Sequence, residues 1–127
     1  MQYLIKTIKA LSDETRLRIL NILLERECCV CEVMQALDVS QSRASRNLGI
    51  LESAGFLQAR RDGTWVLYSI DRQTSNRYAA ALTGLLKDFA VSDEVLAQDR
   101  ERLQGAVRVG PGCAGAQTAG KDALKYE

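Results

Sequence analysis

Cys28, Cys29 and Cys31 fall within four consecutive positions of the run Glu27-Cys28-Cys29-Val30-Cys31-Glu32-Val33. Thiolates are soft ligands, and three so close in sequence suit capture of a soft metal or metalloid ion. Spacing sets what each pair can do. On a helix, residues three apart share a face and residues two apart do not, so Cys28 and Cys31 could chelate across an intact turn. Cys29 and Cys31 point the same way only in an extended segment. Packing is the competing use, because a reduced cysteine is also a small apolar residue. The fourth cysteine, Cys113, is remote in the chain, and there is no histidine. Mixed Cys/His zinc sites and histidine-based catalysis are thereby removed. The C-x-x-C spacing from Cys28 to Cys31 admits a thiol redox switch. A disulfide oxidoreductase would need a βαβ setting, which the pattern lacks. The expectation is a ligand-binding protein with no organic cofactor, and not an enzyme.

The elements that must position these thiols belong to one ordinary globular domain of 127 residues, 46% hydrophobic and 26% charged. No apolar stretch approaches a membrane span and the start, Met1-Gln2-Tyr3-Leu4-Ile5-Lys6, is not a signal peptide. The expected compartment is the cytoplasm, where clustered cysteines stay reduced.

Leu4, Ile8 and Leu11 lie at helical spacing in a first helix, Tyr3 to Leu11. Ser12 reads as the cap of a second, Thr15 to Glu25, apolar round most of its circumference and so central. Val30 to Leu37 forms a third, with Val33, Met34 and Leu37 inward. Ser40 caps a fourth, Gln41 to Ser53, whose inner stripe is Ala44, Leu48 and Leu51, and Gly55 closes it. The period then changes to that of strands. Phe56 to Arg61 and Trp65 to Ile70 read as a hairpin turning at Asp62-Gly63-Thr64. Asp71 caps a long helix, Gln73 to Ala90, and Ser92 a shorter one ending near Gln104. Residues 105–127 hold five of the nine glycines and the single proline. The chain thus divides into a folded unit, 1–104, and a tail, 105–127, expected to be disordered.

The fold class expected is mainly α with a two-stranded β-hairpin: a winged helix-turn-helix. In that geometry the start of the second helix of the motif faces the major groove of double-stranded DNA. Gln41, Ser42, Arg43, Ser45 and Arg46 occupy it, and Arg60 and Arg61 lie near the hairpin tip where phosphate or the minor groove is in reach. Net charge is only +1. Between Gln41 and Thr64, however, four arginines face only Glu52 and Asp62, so positive charge is concentrated in this segment.

These segments resemble the ArsR/SmtB family of winged-helix repressors, in its arsenic-responsive branch. The likeness is carried by Leu11 to Leu20, by Ser40 to Leu48, by Leu51, by Ala54-Gly55-Phe56-Leu57, by Arg61-Asp62-Gly63 and by Tyr68. It implies a homodimer joined through its N- and C-terminal helices, with recognition helices about 34 Å apart on a roughly palindromic operator. Cys29-Val30-Cys31 matches the Cys-Val-Cys of arsenic-responsive relatives. Their common third cysteine would fall at Met34, so a third donor would be Cys28, close by, or Cys113 on the tail. Asn47 stands where the family commonly has histidine, which touches either a DNA contact or local packing. The family's Asp/His zinc site cannot form in its usual way, leaving Asp88, Asp93 and Glu94 as solvated charges. The function this implies is repression relieved by trivalent arsenic or antimony. A cadmium or lead sensor, or a redox switch, would be alternatives on the same scaffold. Joint capture by Cys29 and Cys31 would unwind the first turn of their helix and shift the helix-turn-helix.

Overall fold

The computed structural model describes residues 1–89 and 93–109. Elements follow in the order α1 (Gln2–Leu11), α2 (Glu14–Leu23), α3 (Val30–Leu37), α4 (Gln41–Ser53), β1 (Leu57–Asp62), β2 (Trp65–Ile70), α5 (Arg77–Phe89) and α6 (Glu94–Gln104). The two strands pair antiparallel, from Leu57 opposite Ile70 to Asp62 opposite Trp65. This is a winged helix-turn-helix: α3 and α4 form the motif and the hairpin forms the wing.

Local chemistry sets the boundaries, sometimes one residue away from the expected place. Asp13, in extended backbone, accepts the Arg16 N–H at 3.1 Å and caps α2. Ser12 instead turns its hydroxyl back to the Ile8 carbonyl. Ser40 does cap α4, accepting the Arg43 N–H at 3.2 Å. The other end of α4 closes as a Schellman turn: Phe56 N–H donates to the Leu51 carbonyl and Gly55 N–H to that of Glu52, with Gly55 at φ +90°. The hairpin loop is only Gly63-Thr64, because Asp62 joins the ladder. The helix expected from Gln73 starts later. Asp71 accepts the Gln73 N–H within a turn, and buried Asn76 accepts the N–H groups of Tyr78 and Ala79, so Asn76 opens α5. Asp93 caps α6 through the Leu96 N–H; Ser92, the expected cap, lies outside the described residues.

The buried residues gather around α2. Ile19, Leu20 and Ile22 are wholly buried, and Val33, Leu37, Leu48, Leu51 and Phe56 close round them from α3, α4 and the start of the wing. Helix α6 docks on α2 and α3 through a buried carboxylate. Asp99, fully buried, takes both Arg18 Nε (2.8 Å) and Arg18 Nη2 (2.9 Å), and Arg102 Nη2 at 2.9 Å. The same arginines donate to the carbonyls of Leu37 and Ala36. These are end-of-helix acceptors that α3 cannot satisfy itself.

On α1 the buried residues are Thr7 and Ala10, and of the helically spaced Leu4, Ile8 and Leu11 it is Leu11 that packs against the core. Ile8 is 48% exposed, and Tyr3, Ile5 and, from α5, Leu85 are exposed as well. The Tyr3 ring meets Tyr78 edge-on, with centroids 6.5 Å apart, so α1 and α5 adjoin. No described helix is long and apolar enough to cross a membrane.

Gly55 supplies a direct test of how the motif joins α5. At φ +90° a Cβ would meet Asn76 Cβ and Thr74 Oγ1 at 3.1 Å each. Gly55→Ala should cost at least ~1–2 kcal/mol in urea unfolding; an unchanged midpoint would contradict this junction.

Candidate functional site

Cys28, Cys29 and Cys31 are all thiols, and all are buried. The structure sorts them into two environments. Cys28 packs in the main core. Its backbone bridges β2: Cys28 N–H donates to the Tyr68 carbonyl at 3.0 Å, and Tyr68 N–H donates back at 2.8 Å. It precedes the helix, so the Cys28–Cys31 chelate across an intact turn does not arise. Burial pushes the Cys28 thiol up to about 12. Cys29 and Cys31 instead share a small cluster with Leu67, against which Trp65 packs. Cys29 is the N-cap of α3, in extended backbone (φ −84°, ψ 171°). Val30 and Cys31 are the first two residues of the helix proper. Among the described residues no three Cys, Asp, Glu or His side chains converge as a metal site, and Cys113 lies outside them.

Glu32 holds the start of α3. Cys29 N–H donates to its Oε1 at 2.9 Å, one half of a capping box in which the Glu32 N–H faces the Cys29 sulfur. Arg108 Nε donates to the same oxygen at 3.0 Å and Arg26 Nη1 to Oε2 at 2.6 Å. The carboxylate is nearly enclosed, its side chain 4% exposed. Burial alone would raise its pKa; the Cys29 N–H and the two guanidinium groups outweigh burial and hold it below the usual carboxylate value. Of the segment read as a tail, residues 105–109 are described and run back over this point. Gln35 exchanges two hydrogen bonds with the Val107 backbone, and Trp65 Nε1 donates to the Val109 carbonyl at 3.3 Å. Sequence reasoning passed over Glu32, although Cys29-x-x-Glu32 has the spacing of a capping box.

The cysteine loop is also tied to the wing. Glu27 accepts Arg60 Nε at 3.1 Å and a second bond from its Nη2. The hydrogen-bonded Arg60 guanidinium and its charge hold the Glu27 carboxyl below its ordinary value. Successive strand residues face opposite sides. Arg60 lies opposite Leu67, on the side of the Cys29–Cys31 cluster, while Arg61, opposite Val66, faces the other way. The two arginines therefore project from opposite faces of the wing.

On α4, Ser42, Arg43, Ser45 and Arg46 are exposed and Gln41 is half-buried. Arg16, Ser40, Ser42, Arg43, Arg46 and Asn47, with the carboxylate Asp13 beside them, line an open polar hollow at the start of α4. A helix N-terminus among arginines suits a phosphate oxygen. Asn47 is buried: its Oδ1 accepts Arg16 Nη1 and its Nδ2 donates to the Arg43 carbonyl, each at 2.9 Å. This residue packs α2 against α4.

A family model described as "Bacterial regulatory protein, arsR family" matches residues 13–59. The chain is 41% identical over 96 residues to the arsenic resistance transcriptional regulator ArsR1 of Pseudomonas putida, covering 75% of this chain and 73% of that protein. To the arsenical resistance operon repressor of Escherichia coli it is 37% identical over 105 residues, covering 82% and 81%. A cadmium resistance regulatory protein CadC homolog of Staphylococcus aureus is 43% identical over 67 residues, 52% of this chain and 55% of that one. Among solved structures, reduced HlyU of Vibrio cholerae aligns with TM-score 0.61 and 30% identity over 72% of this chain and 92% of that one. The homodimeric winged helix-turn-helix domain of Mb0332 from Mycobacterium bovis aligns with TM-score 0.59 and 32% identity over 70% and 79%.

The depressed value for Glu32 fixes a sign. A carboxyl held low by its folded partners stabilises fully above its ordinary value of 4.5 and loses that effect as pH falls through the lower folded value. Glu32→Gln should lower stability by about 1.5–3 kcal/mol at pH 7, and the deficit should shrink in unfolding measured near pH 3. A deficit independent of pH would contradict the charged hub.

Proposed function

The chain belongs to the arsR family of bacterial regulatory proteins, a DNA-binding transcriptional repressor, and from that premise we propose that its signal is trivalent arsenic or antimony captured by Cys29 and Cys31. One observation carries the reading: these two thiols share a cluster under the wing, at the first turn of the helix-turn-helix. In the DNA-binding state Cys29 caps α3 and Cys31 lies within its first turn. An ion that draws both sulfurs to one centre cannot leave that turn helical, because residues two apart diverge on a helix. Losing the turn strips the Cys29 N–H from Glu32 and pulls on Cys28, one residue away, whose backbone is bonded to Tyr68 in the wing. Release follows to the extent that the ion binds the displaced state more tightly.

On DNA, Ser42, Arg43, Ser45 and Arg46, with Gln41 at the edge, enter the major groove, and Arg61 reaches phosphate from the wing. Arg60 is shared between the DNA and Glu27. Their ion pair is solvent-exposed and so easily exchanged. The protein acts as a homodimer in the cytoplasm, with the exposed Tyr3, Ile8 and Leu85 covered by the second copy. The homodimeric relative supports this, as do the adjoining apolar faces of α1 and α5. The cadmium-resistance relative supports a cadmium or lead signal as the second reading.

Operator affinity should fall by about tenfold or more on adding arsenite to the wild type and stay unchanged in Cys31→Ser. Equal loss in both would refute capture by this pair, and release by cadmium but not arsenite would favour the second reading. Leu85→Glu should halve the mass measured by light scattering and weaken operator binding. A dimer of undiminished stability would place the interface elsewhere.

A further inference from the structure

An open groove of about 770 Å³ lies between α1 and α4. Its walls are of two kinds. Ile5 and Ala10 from α1, Gly49 and Ile50 from α4, and Ala54 just after it form an apolar lining. Lys6, Lys9, Arg16 and Arg46 add four positive charges, and no described aspartate or glutamate lines the groove. Lys6, Lys9 and Arg46 are exposed and have no ion-pair partner among the described residues. Arg16 is fixed in place. It donates to the Ala10 and Lys9 carbonyls of α1 and, at 2.9 Å, to Asn47 Oδ1 of α4. These bonds gather Lys9, Arg16 and Arg46 at one end of the groove. Gly49 is an independent sign. It lies inside α4, where glycine is less favourable than alanine. A Cβ added there would meet no described atom within 4 Å, so the packing of this chain does not require glycine. The missing side chain leaves the lining of the groove bare.

A groove that is apolar along its lining and positive at one end complements an amphipathic anion, and its volume is that of a small-molecule site. DNA phosphate would engage the lysines but leave Ile5, Gly49 and Ile50 unused. The dimer surface of Tyr3, Ile8 and Leu85 shares no residue with the groove. We propose that the α1–α4 groove binds an amphipathic carboxylate, and that its occupancy is a second signal for operator release. Arg16 and Arg46 line both the groove and the polar hollow at the start of α4. A carboxylate paired with Arg46 takes a cation of the recognition helix from DNA and sets a negative charge beside the phosphates. Ligand and operator then oppose each other, each weakening the other's binding by the same factor. No thiol takes part, so the site stands apart from the arsenic reading.

The probe is dodecanoate, below its micelle-forming concentration and without arsenite, with dodecanol as its uncharged counterpart. Calorimetric titration of the full chain should show dodecanoate bound about tenfold or more tightly than dodecanol. Saturating dodecanoate should weaken operator binding by about tenfold or more. Gly49→Leu fills the lining, so it should bind dodecanoate about tenfold or more weakly, and its operator complex should resist the acid. Lys9→Ala removes one exposed charge. It should weaken dodecanoate but not dodecanol, and it keeps the test decisive if Gly49→Leu fails to fold. Equal affinity for acid and alcohol, dodecanoate binding unchanged in both variants, or binding that leaves operator affinity intact would overturn the proposal. So would a Lys6→Ala variant with weaker, less salt-dependent operator binding but wild-type dodecanoate affinity, since the lysines would then be contacts to DNA phosphate.

Discussion

Glu32 is a carboxylate 3% exposed that three segments share. The N-cap of α3 reaches it through the Cys29 N–H, the loop after α2 through Arg26, and the strap after α6 through Arg108. A buried charge persists only when its partners replace water, and removing one partner from such a set is costly. The constraint therefore acts in both directions. The three segments stay together while Cys29 remains a helix cap, and Cys29 remains a cap while they stay together. Asp99 does the same for the far end of α3, through Arg18 and Arg102. The helix that opens the DNA-binding motif is thus clamped at each end by a buried acid.

Helix α3 has eight residues, too few to be stable alone in water, so its order depends on its ends. The cysteines sit at the end that can be chemically altered. Cys29 is the cap, Cys31 lies in the first turn, and Cys28 is a one-residue strand on the wing. The three cysteines thus lie where the helix-turn-helix meets the hairpin. The Glu27–Arg60 pair adds a second link to the same wing.

Much of this was legible in the sequence. The bounds of α3 and α4, the Ser40 cap and the Gly55 closure follow from local rules that tertiary packing did not override. The Ala44-Leu48-Leu51 stripe is buried as its spacing predicts. Boundaries failed where two neighbouring residues could each cap, as at Ser12 and Asp13, or where a long-range contact chose the start. Asn76 opens α5 because its amide is bonded to Thr7 and to the Ala54 carbonyl, which local pattern cannot reveal. In α1 the apolar stripe did not say which side faces this chain. Sequence proximity also does not reveal that Cys28 packs in the main core while Cys29 and Cys31 share a separate cluster. The Arg108–Glu32 bond joins residues 76 positions apart and has no local signature.

The central claim is that thiol capture at the start of α3 travels to the wing through the Cys28–Tyr68 bridge. Amide hydrogen exchange of Cys28, Cys29 and Tyr68, followed with and without arsenite, tests it most directly. The account predicts that all three amides lose protection when arsenite is added, together with operator release. Unchanged protection at Cys28 and Tyr68 while the operator is released would contradict it.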